Sequence, residues 1–320
     1  MSKTAFIFPG QGAQYVGMAK DFYDAYDECR AVVDNAADLL DFNLRGIMFD
    51  ENELIHKTEF TQAAMLACEL CVLEGVRKTG ATCDVTAGLS LGEYAALVAC
   101  GAMDFADAVR IVRKRGKYME NAVPAGKGAM SAIIGLDNAA VEEMCAKVSE
   151  RTGLCVVTAN YNCPGQVVIS GNKEAVDYAG ERLKEAGAKM VAPLKVSGPF
   201  HSPMLVPAGK KLGEALAPVE FNTPKFPYVA NVTAQLVTEK GDIKRLLTEQ
   251  VSSSVRWEQS VRAMMDYGVD TFVEIGPGKT LSGFMKRIDR SVPVYTINGV
   301  ADLDKLNGEE YVGRKEHTNA

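Results

Sequence analysis

Apolar positions along the chain fall into two kinds of pattern. Short runs at 5–8, 82–87, 271–275 and 292–297 read as buried strands, the first of them wholly apolar and ended by Pro9-Gly10. Between them, 21–40, 61–79, 93–100 and 105–121 carry helical spacing. Strand, turn and helix alternating in this way predict an α/β fold on a parallel sheet.

The middle of the chain is patterned differently. Strands are expected at 129–135, 154–159, 166–170 and 188–196, and helices at 138–151 and 173–186. The stretch 160–165, Asn-Tyr-Asn-Cys-Pro-Gly, reads as a turn-rich connection between two of those strands. The resulting order, β-α-β-β-α-β, is that of a ferredoxin-like unit. The expected organisation is therefore a large discontinuous domain, 1–125 and 197–306, with a smaller α+β domain at 126–196 inserted into it. A polar tail at 307–320, read as frayed, would follow. A cleft between the two domains is the natural place for a ligand.

Composition narrows the function classes. With 35 Lys+Arg against 41 Asp+Glu, the net charge of −6 argues against nucleic acid or an anionic membrane as the main partner. The richest apolar stretch, 94–103, is too short to span a bilayer, and the first residues lack the apolar core of a signal peptide. A cytoplasmic protein is expected. The eight cysteines show no repeated spacing, and Cys68-x-x-Cys71 lies alone in an apolar helical stretch, where core packing is the simpler reading. The three histidines, His56, His201 and His317, form no ligand pair, so no metal is expected.

The strongest chemical signal is Gly88-Leu89-Ser90-Leu91-Gly92, a G-x-S-x-G pentapeptide between an expected strand and an expected helix. That context exposes a nucleophilic serine on a sharp turn, with the Leu91 N–H available to an oxyanion. Of the possible bases, His56 sits in a polar stretch and His317 in the tail. His201 lies in the proline-bracketed loop Gly198-Pro199-Phe200-His201-Ser202-Pro203, where the inserted domain rejoins the large one. Gly10-Gln11-Gly12 has Tyr15 where a dinucleotide fingerprint needs glycine, and reads instead as an N–H-donating loop. Gly276-Pro277-Gly278-Lys279-Thr280 has Val273 where a phosphate-binding loop needs glycine, and reads as a strand-ending turn. In the basic helix 105–121, Arg113 and Arg115 flank the apolar stripe symmetrically, and geometry alone does not choose between them as an anion clamp.

These segments, with Phe8-Pro9-Gly10-Gln11-Gly12, Gly92-Glu93-Tyr94, Met130 through Gly135, Asn160 through Gly171 and Glu274-Ile275-Gly276-Pro277-Gly278, resemble the malonyl-CoA:acyl-carrier-protein transacylases of fatty-acid synthesis and the related acyltransferase domains of polyketide synthases. The resemblance runs almost end to end. It implies an α/β-hydrolase-like core with a ferredoxin-like subdomain. It also implies malonyl transfer from malonyl-CoA to the phosphopantetheine thiol of acyl-carrier protein, through an ester on Ser90, by a monomeric enzyme with no permanently bound cofactor. Under it His201 is the base, oriented by the backbone carbonyl of Gln250, and Gln11 and Leu91 supply oxyanion N–H groups. Arg115, preceding Gly116, becomes the carboxylate ligand, and Phe200 and Asn160 contact substrate. Leu89 and Pro199 depart from the usual residues at their positions. The family's carrier is acidic, which makes Lys184, Lys189 and Lys195 candidates for docking it. A serine hydrolase using the same turn, and a non-catalytic partner in a synthase complex, are the competing readings. Thiol-dependent turnover separates the first from transfer, and failure of Ser90 to acylate would favour the second.

Overall fold

A computed structural model describes residues 2–307, 311 and 313. The strands are β1 (Lys3–Phe8), β2 (Val85–Gly88), β3 (Gly128–Ile134), β4 (Val156–Cys163), β5 (Gln166–Asn172), β6 (Met190–Pro193), β7 (Tyr228–Val229), β8 (Leu236–Val237), β9 (Val269–Ile275) and β10 (Val294–Ile297). The helices are α1 (Lys20–Ala25), α2 (Asp27–Asp38), α3 (Leu44–Phe49), α4 (Thr58–Lys78), α5 (Gly92–Ala99), α6 (Phe105–Glu120), α7 (Asn138–Thr152), α8 (Lys173–Glu185), α9 (Val206–Leu216), α10 (Ile243–Gln250), α11 (Trp257–Asp266), α12 (Thr280–Ile288) and α13 (Asp304–Asn307).

One sheet has the order β10-β9-β1-β2-β7-β8 and is parallel except for the β7–β8 pair. Both faces of β1 are buried: Phe6 and Phe8 pack with α4 and its neighbours, while Ala5 and Ile7 pack against Trp257, Leu281 and Met285 of α11 and α12. A strand covered on both faces needs a continuous apolar run, which is what the sequence has there. Helix α4 is buried around almost its whole circumference from Ala63 to Val76, Glu69 included, so it lies inside the core. The second sheet, β4-β5-β3-β6, is antiparallel, and α7 and α8 cover one face of it through Val141, Val148, Val176 and Leu183. The mixed α/β architecture and the β-α-β-β-α-β order follow the sequence expectation.

Three expectations need correction. The helix expected at 21–40 is two helices, broken at Tyr26, whose backbone is extended at φ −133° and ψ 128°. Asp27 and Glu28 then open α2, where acidic side chains complement the helix dipole. The stretch 160–165 is not a loop: β4 runs on to Cys163, and Pro164-Gly165 alone makes the turn. Its register shifts at Thr158/Asn160 and Tyr161/Cys163, and the Tyr161 N–H reaches the Val255 carbonyl at 2.9 Å, so these turn-prone residues are paired after all. The tail expected to fray falls mostly outside the described residues. Two that are described are packed on the body: Tyr311 is buried edge-on to Tyr295, and the Gly313 carbonyl accepts from the Thr82 N–H at 2.9 Å.

Candidate active site

Ser90 sits between β2 and α5 with φ 53°, in the left-handed region that a non-glycine residue enters only when its surroundings hold it there. The turn is tight enough that a Cβ on Gly88 would lie 1.9 Å from the backbone carbon of Gly92. Asn231 holds it from the other side. Its Oδ1 accepts from the Ser90 N–H at 2.6 Å, and its Nδ2 donates to the Gly88 carbonyl at 2.7 Å.

The Ser90 hydroxyl lies 2.7 Å from His201 Nε2, and His201 Nδ1 lies 2.8 Å from the Gln250 carbonyl. A carbonyl only accepts, so Nδ1 carries the proton and Nε2 is the lone-pair nitrogen that faces the serine. His201, like Ser90, has a positive φ, 58°. Burial, and secondarily the Arg115 charge, push its pKa down to about 4. The imidazole is therefore neutral at pH 7 and able to take a proton.

The structure separates the two arginines of α6. Arg113 pairs with Asp41 at 2.7 Å and Glu59 at 3.2 Å, between the Phe42 and Phe60 rings. Arg115 is 1% exposed and points at the serine: its Nη2 donates to Ser90 Oγ at 3.0 Å and to Gln250 Oε1 at 2.8 Å, and its Nη1 to Gln62 Oε1 at 2.7 Å. Its Nε is buried without a partner. Helix α6 is placed by a close crossing with α4, where a Cβ on Gly116 would meet the Thr58 carbonyl oxygen at 2.9 Å. The Gln250 side chain closes the network, donating from Nε2 to the Ser90 carbonyl at 2.9 Å and to Glu93 Oε2 at 2.6 Å.

A cleft of about 220 Å³ opens over these groups, lined by Gln11, Leu89, Ser90, Arg115, Asn160, Phe200 and His201, with Leu194 and Val196 at β6's end of the small sheet. The N–H groups of Gln11 and Leu91 are engaged by none of the described residues, while the Gln11 side chain is tied to Thr58 Oγ1 at 3.0 Å. Gly276-Pro277-Gly278 is a strand-ending turn: Glu274 already occupies the N-terminus of α12, accepting from the Leu281 and Ser282 N–H groups at 2.9 and 2.8 Å. Cys68 and Cys71 are buried in α4, His56 lies in a short 3₁₀ turn, and His317 falls outside the described residues. No cluster of three His, Cys, Asp or Glu side chains suited to a metal occurs among the described residues, and no helix among them is long and apolar enough to cross a membrane.

The structure places Gln11, Ser90, Arg115, Asn160, Phe200 and His201, all named from the sequence, on one cleft, with Gln250 buried behind Arg115 and His201. Sequence reasoning missed Gln62 and Asn231. Gln62 had a weak signal, the one amide of a helix rich in apolar residues; Asn231 had none.

The geometry has counterparts among known proteins. The profile of the family described as "Acyl transferase domain" matches residues 5–318. A malonyl CoA-acyl carrier protein transacylase of Bacillus subtilis is 47% identical over 299 residues, 93% of this chain and 94% of that protein. One from Staphylococcus aureus is 44% identical over 308 residues, 96% and 99% of the two chains. Among solved structures, an MCAT from Streptococcus pneumoniae superposes with a TM-score of 0.90 at 47% identity, over 95% of this chain and 99% of that one. A complex of a type II PKS acyl-carrier protein with its malonyl-transacylase contributes a chain with a TM-score of 0.92 at 40% identity, over 95% and 98%. A Ser–His pair on a sharp strand–helix turn, a buried arginine beside it and a sequence match across nearly the whole chain lead to one assignment: this chain belongs to the acyl transferase family.

Proposed function

We propose that this protein moves a malonyl group from malonyl-CoA to the phosphopantetheine thiol of acyl-carrier protein, by a ping-pong route through a malonyl ester on Ser90. The observation that carries this reading is Arg115, a buried guanidinium whose Nη2 touches the serine oxygen and whose Nε has no partner. A carboxylate that takes over an Nη2 N–H now donated to Ser90 Oγ or Gln250 Oε1 gains a charged hydrogen bond, which an uncharged acyl chain cannot make.

In the first half-reaction His201 Nε2 takes the Ser90 proton as Oγ bonds to the thioester carbon. The N–H groups of Gln11 and Leu91 bind the oxyanion. As the C–S bond breaks, His201 returns the proton to the CoA thiol. The second half-reaction reverses these steps, with the carrier thiol giving its proton to His201 and attacking the ester. The Gln250 carbonyl keeps the imidazole in the required tautomer, and Phe200 and Asn160 wall the acyl group. No step needs a resident cofactor, since coenzyme A and phosphopantetheine arrive with donor and acceptor. The small sheet with its helices, 126–196, acts as a domain inserted into the larger one formed by 1–125 and 197–306, and the cleft lies between them. A cytoplasmic location suits eight cysteines that carry no disulfide.

The test is intact mass after brief exposure to malonyl-CoA. Wild type gains one malonyl group, which moves to holo-carrier protein, and Ser90→Ala gains none. An adduct lost to water and never to the carrier would make the protein a hydrolase instead. No adduct on folded protein would leave the non-catalytic reading.

A further inference from the structure

Arg115 and Glu93 are both buried beside Ser90, each 1% exposed, yet no ion pair joins them. The Gln250 amide stands between them. Its Oε1 accepts from Arg115 Nη2 at 2.8 Å and its Nε2 donates to Glu93 Oε2 at 2.6 Å. The same Nε2 donates to the Ser90 carbonyl, so the direction of the amide is fixed by three partners. A cation at its oxygen end and an anion at its nitrogen end polarise it in the same sense. Glu93 has little else to hold it as an anion: Oε2 also receives the Asn231 N–H at 3.2 Å, and Oε1 is buried without a partner.

We propose that Glu93 is the counter-charge of Arg115, linked to it through the Gln250 amide, and that a substrate carboxylate arriving on Arg115 takes over this role, so that Glu93 takes up a proton from solvent as Ser90 is malonylated. The inference rests on the malonyl reading above. Two carboxylates sharing one buried guanidinium cannot both stay ionised at low cost. The incoming one is held by direct hydrogen bonds, and Glu93 is one amide removed, so Glu93 is the group that neutralises. The site then carries one cation and one anion both before and after loading.

The other titratable groups facing this pair are uncharged near neutral pH. Burial raises the phenols of Tyr94, on α5, and Tyr228, on β7, and lowers the His201 imidazole. Burial also brings Glu93 itself up to about 7, against the opposing pull of Gln250, the Asn231 N–H and Arg115, so its proton is exchanged in the working range.

The experiment counts protons. Wild type and Glu93→Gln are mixed with malonyl-CoA in weakly buffered indicator at pH 7.5, and the malonyl adduct is quantified by intact mass in the same samples. Acylation alone moves the serine proton onto the CoA thiol, which stays largely protonated at this pH. Wild type is expected to remove a substantial fraction of one proton from solution per adduct, and Glu93→Gln to lose that uptake. Equal proton counts per adduct would overturn the proposal alone; failure of wild type to form any adduct would overturn the malonyl reading, and the proposal with it. A second measurement needs no variant: wild-type uptake should rise and then fall across pH 6 to 9, and a flat profile would also overturn the assignment.

Discussion

At the residue scale, charge is managed by burial. Arg115→Ala removes the one guanidinium beside Ser90 and leaves Gln62 Oε1 and Gln250 Oε1 without their donor. Loading from malonyl-CoA should fall by about 10²–10³-fold, the kinetic equivalent of breaking a buried charged contact. The preference for malonyl-CoA over acetyl-CoA should collapse with it; an unchanged ratio in competition assays would remove Arg115 from its role. His201 and Glu93 pull stability in opposite directions with pH. The folded His201 pKa of about 4 lies below its ordinary 6.5, so from 6.5 down to 4 the unfolded chain binds a proton that the native state refuses, and stability is lost as pH falls. The folded Glu93 pKa of about 7 lies above its ordinary 4.5, so the native state holds the extra proton and stability is lost as pH rises through that window. The two effects overlap and oppose one another. Urea midpoints between pH 7 and 5 should therefore drop further for Glu93→Gln than for wild type, and His201→Gln should shift the opposite way. Ser90 and His201 were legible because a turn motif and a short histidine inventory point to them locally. Asn231 was not, because its bond to Ser90 joins residues 141 apart in the chain.

At the element scale, the strand–turn–helix at Gly88 is the least tolerant piece of the fold. Gly88→Ala drives a methyl into the Gly92 backbone, and neither backbone can yield without moving β2 against α5. We expect a loss of at least ~3 kcal/mol, seen as a lower urea midpoint or as insoluble protein. Gly283 provides the contrast. It lies on the exposed side of α12 with nothing near its would-be Cβ, so Gly283→Ala should stabilise by about 0.5–1 kcal/mol through the unfolded state and helix propensity. The same local logic explains which elements the sequence revealed. β1 announces itself because burial on both faces demands its unbroken run Ala5-Phe6-Ile7-Phe8, and β2, β9 and α4 show as mostly apolar stretches interrupted by a few polar residues. β7 and β8 have two residues each, too few for any period, and they exist only because β2 and the Asn231 turn hold them. The Asn160–Cys163 part of β4 has turn-forming residues, and pairing with β5 and Val255 overrides that preference.

At the scale of the whole molecule, a chain of net charge −6 must present a local basic face if it is to receive an acidic carrier. β6 offers one. It is the edge strand of the small sheet, Met190 on it is 54% exposed, and Leu194 just beyond it is 38% exposed. Lys189 and Lys195 flank these two apolar side chains, and Lys184 lies at the end of α8; all three lysines are exposed and form no ion pair among the described residues. Leu194 and Val196, on either side of Lys195, line the active-site cleft, so a partner seated on this edge would be beside the opening through which a phosphopantetheine arm must pass. Reversing all three charges to glutamate should raise the KM for acyl-carrier protein roughly 10-fold or more at low salt and leave malonyl loading of Ser90 unchanged. The wild-type KM should itself rise with ionic strength, because charges this exposed are screened over about 10 Å at 0.1 M salt. A KM for the carrier that ignored both the reversal and the salt would move the docking surface to another face of the cleft.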